Sequence, residues 1–189
     1  MLVTTPPAPE ITAVLDRGER VIWSGQPRQG VTLRGSDAFA IPFSLFWTGF
    51  VIFWEWNVTH APNASVFMVI WGIPFVLVGL HLLIGRFFVD AAARRRTFYA
   101  LTSERILIIS GLWNRNIKSL SLQNLEQVEL TTRASGEGTI TFGRAAIPSR
   151  GFVPPGWPGA SRYLPPMFEM IQDAAEVANL IRNAQRATR

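Results

Sequence analysis

The sequence predicts an α+β membrane protein in which two transmembrane helices precede a β-rich cytoplasmic domain closed by a C-terminal helix. Two long uncharged stretches, residues 38–54 and 66–85, predict the helices. Short segments in which apolar and polar residues alternate, or in which β-branched residues are frequent, follow the helices and predict strands. In the last segment, at the C-terminus, the apolar residues recur at helical spacing. The expected parts are an N-terminal segment at 1–37, helices at 38–56 and 66–89, an outer loop at 57–65 and the domain at 94–189.

The composition excludes several classes of protein. Hydrophobic residues make up 48% of the 189 residues and charged residues 16%, whereas a disordered chain has low hydropathy and high charge. The lack of cysteine excludes disulfide scaffolds, thiol catalysis and Cys-ligated metals. His60 and His81 leave little room for a His-based metal site. We therefore expect no cofactor.

The two uncharged stretches are long enough to cross a bilayer. A hydrocarbon core of ~30 Å takes about 17–25 helical residues. The first stretch is at the lower limit and requires Asp37 and Glu55 to lie near the two interfaces. The alternative is a pair of buried helices in a soluble protein. It is disfavoured because both stretches are apolar on all faces, whereas a surface helix carries a polar stripe.

Positive charge predicts the orientation. The loop at 55–65 contains no Lys or Arg, while both outer flanks contain four arginines each. The positive-inside rule then places both termini of this expected inner-membrane protein in the cytoplasm. Residues 86–189 contain fourteen basic and eight acidic residues and so carry the excess charge of the chain, whose net charge is +5. Met1–Pro9 has no basic or apolar signal region, so we expect the first helix to be retained.

The segment after the second helix is predicted to be mostly β structure. Alternation and β-branched content predict strands at Thr97–Thr102, Arg105–Ile109, Asn116–Leu122, Gln127–Thr132 and Thr139–Phe142. Val21–Ser24 is a further short strand that can pair with this sheet, since both termini lie on one side of the membrane. Helical spacing with early acids and late arginines predicts a closing helix at Phe168–Ala187.

Two features are candidate binding sites. Arg94, Arg95 and Arg96 form a juxtamembrane basic cluster that can attract anionic lipid headgroups at about 1 kcal/mol per residue, or can serve only to fix topology. Residues 144–166 form a long Pro-rich loop, and loops of this length are usually functional. Its aromatic residues either contact the membrane or a partner, or cover the open end of the domain. They are Phe152, Trp157 and Tyr163.

The order of strands and closing helix resembles a pleckstrin-homology (PH)-like domain. Gly18–Pro27, before the membrane segments, and Arg96–Ile106, after them, are similar to elements of bacterial PH-domain membrane proteins with two helices. Gly136–Gly143 and Phe168–Ile171 are similar to later elements of that family. The resemblance implies a multi-pass protein with a small, partly open cytoplasmic barrel or sandwich capped by a helix, and it does not imply an enzyme.

The expected function is therefore binding or scaffolding at the membrane. The partners would be membrane lipids, a membrane protein or a second copy of the chain. The alternatives are an anionic-lipid-sensing module and an accessory subunit of a membrane enzyme or transporter. No catalytic constellation or phosphate-binding loop is present, and the only Lys is Lys118. Nucleic acid is not an expected partner, because membrane proximity explains the positive charge.

Overall fold

A computed structural model describes residues 6–33, 37–112, 114–125, 127–143 and 165–188. They form two compact units, Met1–Gly30 with Ala91–Arg189, and Val31–Asp90. The N-terminal and helical elements are α1 (Pro9–Thr12), β1 (Val21–Gly25), α2 (Asp37–Thr59), α3 (Val66–Leu80), a π-helical turn (His81–Gly85) and α4 (Arg86–Arg95). The later elements are β2 (Phe98–Thr102), β3 (Arg105–Ser110), β4 (Asn116–Ser121), a 3₁₀ turn (Leu122–Asn124), β5 (Val128–Thr132), β6 (Gly138–Phe142), β7 (Met167–Ile171) and α5 (Ala174–Ala187).

The unit of residues 31–90 is an antiparallel helical hairpin. Small residues let α2 and α3 approach each other, since a Cβ on Gly79 would lie 2.9 Å from Thr48 Oγ1 and 3.3 Å from its Cα. At one end of the hairpin Arg86 Nη2 lies 3.0 Å from Asp37 Oδ1. This ion pair joins the beginning of α2 to the beginning of α4.

The outer surface of the hairpin is apolar. Both helices are long and apolar enough to cross a membrane, and only 22% and 11% of their most apolar windows are buried. Helices in the core of a soluble protein would be mostly buried, so the exposure disfavours that alternative. The helices extend past their predicted ends: α2 reaches Thr59, and the second helix continues through α4 to Arg95.

The other unit contains two antiparallel sheets, with strand orders β1-β2-β3-β4 and β5-β6-β7. β1 lies before the hairpin in sequence and pairs with β2 after it, with Trp23 opposite Leu101. The predicted strand at Val21–Ser24 and its pairing with the C-terminal sheet are therefore confirmed. The Arg28 amide donates to Met170 O at 2.9 Å and so links the chain after β1 to β7.

Both sheets and α5 enclose one hydrophobic core. At its centre the ring of Phe168, fully buried, lies 4.7 Å from that of Tyr99, 4.9 Å from that of Phe142 and 5.5 Å from that of Trp23, measured between centroids. A smaller cluster covers the other face of the first sheet, where Ile11 of α1 packs on it. The domain thus depends on residues from both sides of the hairpin.

The prediction of a helix from Phe168 is wrong in its first turn, because Met167–Ile171 is strand β7. Phe168 pairs with Ile140 and Ile171 with Gly138, so β7 has one more residue than β6 between these pairs. The extra residue is a β-bulge, with Met170 at φ 48°. It places Phe168 and Ile171 in the same core although they are three residues apart, which is the spacing that imitates a helix.

Candidate functional site

Arg94, the first residue of the predicted basic cluster, is buried and serves the fold. Only 4% of it is exposed, and its Nη2 donates to Gly30 O at 2.6 Å. Gln29 Nε2 returns a hydrogen bond to Arg94 O at 3.3 Å. The side chain therefore holds the segment after β1 against the end of α4, and in this arrangement it is not accessible to a lipid headgroup.

Arg95 and Arg96 are exposed and can reach a ligand. Nη1 of Arg96 donates to Leu112 O, which ties the end of α4 to the turn between β3 and β4. Arg115 follows that turn, is also exposed, and donates from Nη2 to Glu10 O at 2.5 Å. We call Arg95, Arg96 and Arg115 the arginine rim. Arg115 was missed in the sequence because it lies about twenty positions from the cluster, and only the pairing of β3 with β4 places it at the same end of the sheet.

The predicted aromatic contact residues Phe152, Trp157 and Tyr163 lie outside the described residues. Their role as membrane or partner contacts stays a prediction. The lipid role of Arg95 and Arg96 likewise stays a prediction.

Two of the motifs that carry the family resemblance, Gly18–Pro27 and Arg96–Ile106, meet at one buried carboxylate. The side chain of Glu19 is fully buried and accepts hydrogen bonds from Thr102 Oγ1 at 2.6 Å and from Arg105 Nε and Nη2 at 2.9 and 2.8 Å. The Asp16 amide donates to it at 2.9 Å, and Asp16 Oδ2 lies 2.7 Å from Arg105 Nη2. Arg105 also donates to Val14 O at 3.1 Å.

The electrostatics of this cluster favour the charged forms. Burial by itself raises the pKa of Glu19, but the hydrogen bonds from Arg105 and Thr102 outweigh it and lower the pKa to about 2. The hydrogen bond with Glu19 raises the pKa of Arg105. Both oxygens of Glu19 accept hydrogen bonds from groups of this domain. The cluster therefore fastens the segment before β1 to the β2–β3 hairpin, a role that no local pattern in the sequence indicates.

A second carboxylate, that of Glu55, lies in the helical hairpin without such partners. Its side chain packs at Gly72 of α3, where a Cβ would collide with Glu55 Oε2 and lie 2.7 Å from the Trp54 ring. Oε2 is buried, and no polar atom of the described residues forms a hydrogen bond with it. Since a buried polar group is normally hydrogen-bonded, this orphan requires an explanation.

The described residues contain no group of three or more His, Cys, Asp or Glu side chains that could hold a metal ion. Two of their cavities measure about 230 and 290 Å³ and lie at the β4–β6 side and beside the β5–β6 turn. Both are smaller than the roughly 300 Å³ at which ligand pockets begin.

Comparison with known proteins agrees with this architecture. The family model described as "Bacterial PH domain" matches residues 41–185. The chain is 27% identical over 197 residues to an uncharacterized 23.7 kDa protein in the puhA 5′ region of Rhodobacter capsulatus, with 96% of this chain and 86% of the relative covered. No solved structure matches the chain significantly.

Proposed function

The chain belongs to the bacterial PH domain family, and we propose that it is a membrane-anchored binding and scaffolding module. In this proposal the hairpin crosses a bacterial inner membrane twice and both termini are cytoplasmic. The PH-like domain then works at the cytoplasmic surface, where it engages a membrane-protein partner or a second copy. It acts by contact and performs no reaction of its own.

One observation carries the proposal: the domain is completed by strands from both sides of the hairpin. β1 ends at Gly25 and β2 begins at Phe98, yet the two strands pair directly. The apolar hairpin lies between them in sequence and exposes most of its surface. Because the hairpin is inserted between two paired strands of the domain, the domain is attached to the membrane segment through two connections, which suits it to bind a partner there.

The charged groups of the domain support a binding role. Glu19 and Arg105 are engaged in the fold and are closed to a substrate. Arg95 and Arg96 remain exposed. PH-like domains generally bind lipids or proteins, and a function that rests on fold still has to be tested on the residues.

A second candidate function is recognition of anionic lipid, which the arginine rim favours. Its exposed guanidinium groups lie at the domain end where α4 arrives, and juxtamembrane arginines attract anionic headgroups. A single cysteine at Asn114, an exposed residue of the β3–β4 turn in a chain that lacks Cys, can carry an environment-sensitive dye. If the rim contacts lipid, the emission of this dye should shift to the blue in anionic nanodiscs. The R95Q/R96Q double variant should lose this shift, whereas R182Q/R186Q, with the same change of charge on α5, should keep it.

The principal test is purification from native membranes in mild detergent after crosslinking. A stoichiometric membrane-protein partner or a defined homo-oligomer is the expected result, and a stoichiometric enzyme or transporter would assign the chain as its accessory subunit. Retention in membranes after alkaline carbonate, with the C-terminal half protected from external protease, is also expected. A chain that carbonate releases, or one that stays monomeric and unpartnered, would overturn the proposal.

A further inference from the structure

We propose that Glu55 is the contact point for a basic side chain of a different membrane protein. The inference rests on the proposed function, because it requires the hairpin to cross the membrane. It names the chemistry of the partner: a transmembrane helix with a Lys or Arg near the non-cytoplasmic side of the bilayer. The occupant is thus distinguished from lipid and from a second copy.

The register of the hairpin places the Glu55 carboxylate inside the apolar band, deeper than the interface position expected from the length of the first uncharged stretch. Glu55 packs at Gly72, six residues after α3 begins at Val66, which is about 9 Å along the helix. Apolar aromatic side chains around this level are exposed: Phe67 is 68% exposed and Trp71 is 56% exposed. Trp56, the residue after Glu55, is 64% exposed. A carboxylate among lipid-facing aromatic side chains is expensive unless it is paired.

The described residues of the hairpin supply no cation for this carboxylate. Residues 38–85 contain neither Lys nor Arg. Arg86 lies fourteen residues beyond Gly72, about 21 Å along the second helix, and is paired with Asp37. The nearby His60 is engaged elsewhere, because its ring stacks on Trp56 with centroids 4.1 Å apart and its Nδ1 lies 2.8 Å from Trp56 O.

A second copy cannot supply the cation either. All copies share one orientation in the membrane, so the same stretch without Lys or Arg would lie at the same depth. Two copies meeting there would bring Glu55 against Glu55, and like charges in a poorly solvated place repel. The complementary charge must therefore come from another protein. A partner with a Lys or Arg at this depth would be preferred because of its complementary charge.

A partner can reach Glu55 from the side away from Gly72. Glu55 is partly exposed, although its Oε2 is buried against Gly72. Ile52, one turn earlier on α2, is 48% exposed and offers apolar contact beside it. An arriving helix can thus pack on this surface and direct a Lys or Arg to the carboxylate, as paired charges within membranes usually do.

The test is site-specific photocrosslinking of the full chain in native membranes, with p-benzoylphenylalanine at Trp56. We expect an adduct with a different protein, in which the crosslinked peptide lies in a transmembrane helix that contains a Lys or Arg. E55Q should lower the adduct yield about tenfold, the loss expected for a charged hydrogen bond. N57Q, a polar change on the same turn, should leave the yield unchanged.

Changing the partner's basic residue to Gln should lower the yield as far as E55Q does, with no further loss in the double variant. Adducts only with lipid or with a second copy, or an unchanged yield in E55Q, would overturn the inference. Circular dichroism of E55Q checks that the helices persist, and E55D, which retains the charge, should keep part of the yield. Release by alkaline carbonate would instead refute the proposed function, so the two failures are distinguishable.

Discussion

Replacing Glu19 with Gln tests whether the buried cluster holds the domain together. The folded pKa of Glu19 is about 2, against an ordinary value of 4.5. Each pH unit between these values corresponds to about 1.4 kcal/mol, so the ionised carboxylate contributes about 3 kcal/mol at neutral pH. Arg105 would retain Asp16 and Val14 O in E19Q. We therefore expect a loss of about 2–3 kcal/mol, below the 3–5 kcal/mol for breaking an isolated buried pair.

The pH dependence has a definite sign. Because folding lowers the pKa of Glu19, its contribution is complete above about pH 4.5 and is lost as the pH falls towards about 2. In that range the unfolded chain takes up a proton that the folded chain excludes. In E19Q this acid-dependent part of the stability should be missing, so the curves of the two proteins should converge at low pH.

The assay is pulse proteolysis in urea of the full chain in detergent, from pH 7 down to pH 2. The micelle protects the apolar hairpin, so cleavage reports unfolding of the sheet domain. E104Q is the matched control, since Glu104 is exposed on the same β2–β3 hairpin and should change stability by less than about 0.5 kcal/mol. If E19Q unfolds at the same urea concentration as the unchanged chain, with the same acid dependence, the reasoning about this cluster is refuted.

Three further substitutions probe the packing. Gly79→Ala should destabilise the α2–α3 hairpin by about 1 kcal/mol or more, measured by crosslinking of paired cysteines across it, while Gly49→Ala, with open space around it, should be neutral. Phe168→Ala should cost about 3–5 kcal/mol in the same proteolysis assay, and a loss under 1 kcal/mol would contradict its central place in the core. Arg94→Gln should destabilise the domain by about 1–3 kcal/mol, whereas Arg95→Gln should leave its stability unchanged; equal effects would contradict the burial difference.

Local patterns in the sequence predicted the elements whose period is regular. The apolar stretches and the alternating strands gave helices and strands near the expected positions, and Val21–Ser24 was placed in the sheet because of topology. The helix from Phe168 failed because a bulge at Met170 changes the period of a strand from two to three locally. Such a bulge depends on the neighbouring strand, so no local window of sequence contains it.

The candidate site was less predictable because its members are far apart in the chain. Glu19 and Arg105 are separated by 86 positions, and nothing near either residue indicates that they pair. Arg94 and Arg95 are adjacent and chemically identical, yet one is buried and the other exposed. Helical phase decides this difference: α4 extends to Arg95 and turns only one of the two towards the segment after β1.

The pairing of β1 with β2 has a consequence for biosynthesis. β1 leaves the ribosome before the hairpin and β2 only after it, so the sheet cannot be completed until both helices have been synthesised. In the proposed topology two crossings return the polypeptide to the compartment it left, whereas a single crossing would leave β1 and β2 on opposite sides of the bilayer. In that topology the domain is completed only in a correctly inserted chain, and a misinserted chain would expose an unfinished sheet to proteases.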